Sequence, residues 1–237
     1  MTTFPTIQAA PACWACGASL AGSALLCLAC GKVQPGVGPG SGADYYQVFG
    51  LERSTTVDTA ALEREFHRLS RRLHPDRFAR SSAEEQQWSL SATALLNDAY
   101  RTLRDPVQRI EYLLGLEGIE LGEEHAGKNK SASRQPPPDL LEEVFELNMQ
   151  LEEMRMNRKI GEDDPMLLAD LVKARAHFEG LLAQVDGDLA AEGGIWNAGG
   201  TDTRATAAKT MAALLDRRRY LRNLVRDTNE VLSTPAE

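Results

Sequence analysis

The feature that most constrains this chain is the run from Leu69 to Phe78, in which a basic segment leads into His-Pro-Asp. Apolar residues recur before it at helical spacing and predict one buried stripe: Leu62, Phe66, Leu69 and Leu73. Arginines occupy roughly the opposite face of the same helix: Arg64, Arg68, Arg71 and Arg72. Pro75 cannot continue the helix, because it has no backbone N–H and restricts the residue before it. We therefore expect a helix that stops at Leu73 or His74 and presents His74 and Asp76 on a turn beside a positive surface.

Helices are also predicted on both sides of this turn. The stretch from Trp88 to Leu103 is helix-forming, and its apolar side should pack back on the first helix. Asp105-Pro106 supplies an N-cap and a first-turn proline for another short helix. Upstream, residues 44–51 predict a short aromatic helix that ends at Gly50. The sequence between residues 44 and 117 therefore predicts four helices.

Three motifs in register within this segment resemble the J-domain family of co-chaperones. They are Asp-Tyr-Tyr-x-x-x-Gly-Leu from Asp44, the His-Pro-Asp turn, and Asn-x-Ala-Tyr-x-x-Leu-Arg-Asp-Pro from Asn97. The resemblance implies docking on an ATP-bound DnaK-type (heat-shock-70) chaperone, whose ATPase it would stimulate, and no catalytic site in this chain. The docking residues that it implies are Arg68, Arg71, Arg72, His74, Pro75 and Asp76. The alternative from the residues alone is a surface turn beside a solvated basic helix.

The four cysteines form two Cys-x-x-Cys-Gly pairs that are ten residues apart: Cys13, Cys16, Cys27 and Cys30. This spacing suits one tetrahedral structural zinc ion. The glycine after each pair permits a turn with positive φ, which lets backbone N–H groups point at the sulfurs. About thirty residues cannot bury enough core to fold alone, so a metal would supply the folding energy. Two disulfides and a redox-active thiol pair are the alternatives, disfavoured without a secretion signal or a thioredoxin-like βαβ unit.

Two linkers and three further helices are predicted. Residues 35–43 are rich in glycine, and residues 118–138 are polar and end in three prolines. Asp139 is the predicted cap of the next helix, and Asp164-Pro165 begins the one after it. A glycine-rich loop is expected from Gly193 to Gly200, before a last helix that carries apolar residues from Met211 to Leu232. Three helices in this order predict an antiparallel bundle.

The first of these three helices has two apolar stripes. One predicts the core face and consists of Leu140, Val144, Leu147, Leu151 and Met154. The other repeats every four residues and consists of Leu141, Phe145 and Met149. This second stripe is either the broad buried face of a helix between two others or an exposed binding patch.

A J-domain followed by a three-helix bundle is similar to the HscB/Jac-type co-chaperones of iron–sulfur cluster biogenesis. The segments that resemble this family are Arg109 to Leu114, Leu140 to Asn148 and Tyr220-Leu221, and four N-terminal cysteines resemble its eukaryotic members. The resemblance implies binding of the iron–sulfur scaffold protein and location in the mitochondrial matrix, with the cytoplasm as the alternative. The scaffold-binding residues that it implies are Leu141, Phe145, Glu146, Met149, Glu153 and Tyr220. The alternative function is a general J-domain co-chaperone whose zinc module serves other clients.

Composition disfavours other classes of protein. The net charge of −8 argues against a nucleic-acid binder, and Lys32 is the one charged residue of the cysteine segment. No apolar run approaches the length that spans a membrane, and the first eleven residues contain no lysine or arginine, so no presequence is visible. An oxidoreductase that uses Cys13 and Cys16 stays as a rival, and a homodimer stays as an expectation.

These inferences predict a mostly α-helical chain. Residues 1–34 are expected to form a small zinc-ribbon-like module with four cysteine ligands, 44–117 a four-helix J-domain and 139–237 a three-helix scaffold-binding bundle, joined by the linkers 35–43 and 118–138.

Overall fold

The structure is a computed structural model that describes residues 12–20, 24–119, 121, 136–162 and 164–233. It divides into two compact units, Met1–Tyr112 and Leu113–Glu237. Seven α-helices and no strands occur in the described part of the chain, which confirms the mostly α fold. Among the helices described, none combines the length and the apolar character needed to cross a bilayer.

Two helices precede the His-Pro-Asp turn, and each begins directly after an aspartate that caps it. Helix α1 spans Tyr45–Val48 with Asp44 as N-cap, and helix α2 spans Thr59–Leu73 with Asp58 as N-cap. The predicted stop at Leu73 is confirmed, and residues Pro75–Phe78 form one 3-10 turn. Leu62, Leu69 and Leu73 are buried and Phe66 is half-buried against Tyr100, so the predicted stripe faces the core.

Helix α3 is longer than the sequence predicted. It spans Ala83–Arg104 and begins after Ser82, whose hydroxyl accepts a hydrogen bond from the backbone N–H of Glu85. This Ser-x-x-Glu capping pattern lies several residues before the predicted start at Trp88. Helix α4 spans Pro106–Leu116, and the Asp105 carboxylate accepts the N–H of Val107 at 2.9 Å, as its Asp-Pro start predicted.

The segment that carries the cysteines forms two short turns. Antiparallel bridges join Ala12 to Ser19 and Leu26 to Val33, one around each Cys-x-x-Cys pair. Gly17 and Gly31 have φ values of 72° and 75°, the left-handed conformation that a glycine after each pair was expected to adopt. The expected linker 35–43 contains no helix or strand, and most of the second linker, residues 122–135, lies outside the described residues.

The second unit contains three helices: α5 (Leu141–Lys159), α6 (Pro165–Ala198) and α7 (Thr201–Ser233). The Asp164 carboxylate caps α6, as predicted. The prediction that Asp139 caps α5 is wrong. Asp139 lies in a 3-10 turn, Pro138–Leu140, and accepts two hydrogen bonds from Arg217 of α7 at 2.9 and 2.8 Å. A bidentate arginine is a stronger partner for a carboxylate than a backbone N–H, and it joins the turn to the bundle.

The predicted loop from Gly193 to Gly200 is also wrong. Helix α6 continues through Gly193 and Gly194 to Ala198, and the connection to α7 is Gly199-Gly200. Glycine costs a helix about 1 kcal/mol relative to alanine, which burial of the neighbouring Trp196 offsets. Arg204 lies over the Trp196 ring at 4.7 Å and donates to its carbonyl at 3.1 Å, so α7 begins by packing on the end of α6.

Candidate functional site

The His-Pro-Asp turn is held in one shape by its own hydrogen bonds. The Nδ1 atom of His74 accepts the backbone N–H of Asp76 at 3.3 Å, and the His74 carbonyl accepts the N–H of Arg77 at 2.9 Å. The side chains of His74 and Asp76 are 56% and 90% exposed. Phe78, at the other end of the turn, is buried and fixes it to the core. An imidazole and a carboxylate are therefore presented to solvent on an ordered backbone.

The predicted arginines lie next to this turn. Arg71 is exposed and Arg72 half-buried, and both close the last turn of α2, where a positive charge also stabilises the helix C-terminus. Arg68 is exposed but donates to Glu65 on the same helix, with an Nε-to-Oε2 distance of 2.7 Å. This hydrogen bond lowers the pKa of Glu65, so the carboxylate stays charged and offsets Arg68. Arg71 and Arg72 are thus the less compensated part of the positive surface.

The four cysteine sulfurs converge on one point. Their ligand atoms lie within 4.8 Å of one another, and the Sγ atoms of Cys13 and Cys30, like those of Cys16 and Cys27, are 3.7 Å apart. Zinc binds thiolates at about 2.3 Å, which makes the edge of a tetrahedron of four zinc-bound sulfurs about 3.8 Å. The cysteines are free, because sulfurs at this separation are not bonded to each other. The donor set and its spacing therefore fit one tetrahedral metal ion.

The surroundings of Cys13 favour a thiolate. Burial raises the pKa of this thiol, but hydrogen bonds from the backbone of Ala15 and Cys16 and from the Cys30 and Cys16 side chains outweigh burial and lower it to about 6. Buried Gln34 adds an N–H donor 3.5 Å from the Cys13 sulfur. A thiolate that accepts several N–H bonds is the usual form of a metal-bound cysteine.

Both cysteine pairs contact helix α3, which sequence reasoning missed. Trp14, inside the first pair, meets Trp88 edge-on with ring centroids 5.5 Å apart and donates to the Val33 carbonyl at 2.8 Å. Lys32, next to the second pair, forms an ion pair with Glu85. The only sequence signal was that a tryptophan lies inside the first cysteine pair and the segment's single charged residue lies just after the second pair, which does not identify their partners.

The two stripes of helix α5 face different environments. The core stripe is buried as predicted, whereas Leu141, Phe145 and Met149 are 55%, 67% and 59% exposed. Glu146 and Glu153 are exposed on the same helix, and Tyr220 lies half-buried on α7, where burial raises its pKa. Sequence reasoning missed two exposed apolar residues that continue this face at helical spacing, Met156 and Ile160. We call the exposed residues Leu141, Phe145 and Met149 the α5 patch.

Comparison with known proteins covers both units. The DnaJ domain model matches residues 44–112. The chain is 35% identical over 147 residues to a co-chaperone protein HscB homolog of Vibrio cholerae, covering 62% of this chain and 80% of the relative. It is 32% identical over 186 residues to the iron-sulfur cluster co-chaperone protein HscB of Mus musculus, covering 77% of this chain and 75% of the mouse protein.

Two solved structures have a similar fold. Human co-chaperone protein HscB aligns with a TM-score of 0.64 and 24% identity, covering 93% of this chain and 98% of the human chain. HscB from Vibrio cholerae aligns with a TM-score of 0.55 and 25% identity, covering 79% and 96% of the two chains. The exposed His-Pro-Asp turn, the matched DnaJ domain and the extent of these similarities lead to one conclusion: the chain belongs to the HscB family of J-domain co-chaperones.

Proposed function

We propose that this protein stimulates the ATPase of a DnaK-type (heat-shock-70) chaperone and delivers the iron–sulfur cluster scaffold protein to it. The observation that supports this most is the ordered, exposed turn that presents His74 and Asp76 beside Arg71 and Arg72. The mouse relative is an iron-sulfur cluster co-chaperone by name, which supports the choice of scaffold.

The turn acts by binding. Arg71 and Arg72 meet an acidic surface of the chaperone and speed the encounter, since complementary charge raises association rates more than affinity. Asp76 then offers an exposed carboxylate for a charge-assisted hydrogen bond to an arginine of the chaperone. The chaperone state that accepts this bond becomes more populated. In this proposal that state is the hydrolysis-competent one, so ATP turnover rises without any catalytic group from this chain.

The α5 patch binds the scaffold protein in this proposal. Three large apolar side chains at four-residue spacing present one continuous face, with Glu146 and Glu153 as polar neighbours on the same helix. Tyr220 of α7 contributes an aromatic side chain to the same interaction. Contiguous exposed apolar side chains mark interaction sites more often than apolar residues that are exposed singly. A chain that holds the scaffold and the chaperone together raises the effective concentration of each for the other.

We also propose that Cys13, Cys16, Cys27 and Cys30 hold one structural zinc ion. The 3.7 Å separations between sulfurs and the convergence of all four ligand atoms within 4.8 Å support this assignment. Bound zinc would be fully coordinated by thiolates and would supply folding energy rather than Lewis-acid chemistry.

The proposal is tested by His74→Gln and Asp76→Asn in single-turnover ATP hydrolysis by a purified DnaK-type chaperone. Both variants should lose stimulation, because each removes an exposed group of the turn, and both should keep the wild-type circular dichroism. Asp98→Asn, on an exposed ion pair of α3, is the matched control and should stimulate normally. Full stimulation by folded Asp76→Asn would overturn the proposal.

The response to added scaffold protein distinguishes the proposed function from that of a general J-domain co-chaperone. A scaffold-specific protein should show additional stimulation when purified scaffold is added, and a general one should not. Location in the mitochondrial matrix and a homodimer stay predictions, which fractionation and light scattering would test.

A further inference from the structure

Within the described part of the chain, the last carbonyl of helix α2 has no backbone partner. In a continuing helix, the carbonyl of Leu73 would accept the N–H of Arg77. Here the Arg77 N–H bonds to the His74 carbonyl instead, and the Asp76 N–H bonds to the His74 ring. Leu73 is fully buried, so water does not replace the missing donor. A buried carbonyl without a donor costs free energy comparable to a lost hydrogen bond.

Two hydroxyl groups of helix α3 supply the missing donors. The Ser89 hydroxyl donates to the Leu73 carbonyl at 2.6 Å, and the Thr93 hydroxyl lies at 3.4 Å from the same oxygen. Ser89 is itself completely buried. Ser89 and Thr93 are four residues apart and thus share one face of α3. A mid-helix serine usually bonds back to its own helix, so a bond to a neighbouring helix is informative.

This carbonyl belongs to the peptide unit from which His74 leaves α2. The Leu73 oxygen and the His74 nitrogen lie in one plane, because the peptide bond does not rotate freely. A hydrogen bond to the oxygen therefore fixes the direction in which the turn starts. The bonds inside the turn fix its shape but not its orientation relative to α3. Buried Phe78 anchors the far end of the turn, but His74 and Asp76 are exposed, so packing does not fix the direction in which the turn leaves α2.

We infer that Ser89 is a positioning residue of the His-Pro-Asp turn, acting through the Leu73 carbonyl, and that Thr93 assists it. The inference rests on the proposed stimulation of a chaperone ATPase. Ser89 does not touch the partner in this account. It sets the angle at which His74 and Asp76 meet the chaperone, while Arg71 and Arg72 make the first contact.

The role predicts a particular pattern in the ATPase assay. Ser89→Ala in the full chain should lower the maximal stimulation about fivefold, roughly the equilibrium factor of one buried hydrogen bond. The concentration that gives half-maximal stimulation should stay near wild type, because the arginines are unchanged. Partial unfolding alone would do the opposite, since it reduces the folded concentration and leaves the plateau intact. Ile110→Val, a mild core change on α4, serves as the destabilised control and should keep the plateau.

A spectroscopic readout is independent of the chaperone. In Ser89→Ala, the amide resonances of His74 and Asp76 should shift, whereas those of α1 should not. Ser91→Ala, which is the same change half a turn away on α3, should leave the turn resonances in place. If Ser89→Ala fails to fold, Ser89→Cys keeps a weak donor of similar size and should give an intermediate plateau.

The results distinguish a failure of the Ser89 role from a failure of the proposed function. The role of Ser89 is refuted if Asp76→Asn abolishes stimulation while folded Ser89→Ala keeps both the wild-type plateau and unshifted turn resonances. Ser89→Cys takes the place of Ser89→Ala in this comparison if the alanine variant does not fold. If Asp76→Asn stimulates normally, the proposed function fails, and the turn resonances still decide whether Ser89 orients the turn.

Discussion

The ammonium group of Lys32 lies 2.5 Å from the carboxylate of Glu85, on a side chain of α3 that is only 9% exposed. Lys32 directly precedes Val33 of the second bridge of the cysteine segment, and Trp14, from the first pair, contacts Trp88 one turn further along α3. The cysteine segment and the J-domain therefore share packing and charge as well as chain connectivity.

Lys32→Gln should destabilise the fold by about 1 kcal/mol, because it leaves the buried carboxylate of Glu85 without its partner. The loss is modest because the Lys32 side chain is 44% exposed, so water already weakens the ion pair. Glu85→Gln combined with Lys32→Gln should recover part of this loss. Urea unfolding of both single variants and the double variant gives the coupling energy. Arg101→Gln breaks a surface pair and should have no measurable effect. A coupling energy of zero would mean that the contact does not link the two segments.

Purified protein should contain about one zinc ion per chain. Chelation, or Cys27→Ser, should release residues before Val33 and change tryptophan fluorescence, because Trp14 would leave Trp88. The C-terminal part of helix α3 should keep its amide protection from hydrogen exchange, because its buried residues Leu95, Leu96 and Leu103 lie beyond the contacts with the cysteine segment. Protection near Glu85 should fall with the loss of Lys32. Disulfides in freshly prepared protein, or metal loss without a change in fluorescence, would contradict this prediction.

The double variant Leu141→Ala/Phe145→Ala should have a free energy of unfolding close to that of the wild type, because truncation of exposed side chains opens no cavity. The matched core variant Leu147→Ala should lose about 2–5 kcal/mol. The patch variant should bind purified scaffold at least about tenfold more weakly, as expected for a central interface anchor, and still stimulate the basal ATPase of the chaperone. Unfolding of the patch variant would assign the stripe to the core, and normal scaffold binding would refute its proposed role.

Arg217→Gln should raise the pKa of Asp139 towards its ordinary value. Hydrogen bonds from Arg217 lower this pKa in the folded protein against the opposing effect of desolvation. A carboxyl group with a lowered folded-state pKa contributes stability above its unfolded pKa of about 3.9 and loses it as pH falls through the folded value. The acid sensitivity of the wild type below about pH 4 should therefore shrink in the variant. Carboxyl NMR titration measures the shift, and Arg226→Gln, whose partner is Asp227, should leave Asp139 unchanged.

The sequence predicted those features that local chemistry decides. Pro75, the Asp105-Pro106 pair and the Asp164-Pro165 pair each set a helix boundary that the structure confirms. The four cysteines were grouped correctly because a metal site of this kind has a characteristic spacing. The two stripes of α5 were separable because their residues differ by about 100° around the helix, but the spacing left open whether the second stripe is buried or exposed.

Features decided by tertiary partners escaped prediction. Asp139 has the local character of a cap but finds Arg217, which is distant in sequence. Gly193 and Gly194 resemble a loop but lie in a helix whose end is held by Trp196. Ser89 carries no signal beyond a hydroxyl four residues before another, and its partner is a backbone atom that any residue provides. A sequence pattern does not identify such a partner without the fold.

In the proposed function, helix α5 keeps stability and scaffold recognition on separate faces, and this affects how the protein can change over evolutionary time. Substitutions in the α5 patch are expected to be nearly free of folding constraint, so selection on them reflects the partner alone. The patch can therefore drift together with its partner's surface while residues such as Leu147 stay fixed. Lineages with diverged scaffolds should differ most at Leu141, Phe145 and Met149, and exchange of these three side chains offers a route to redirecting the protein to a new client without redesigning the bundle.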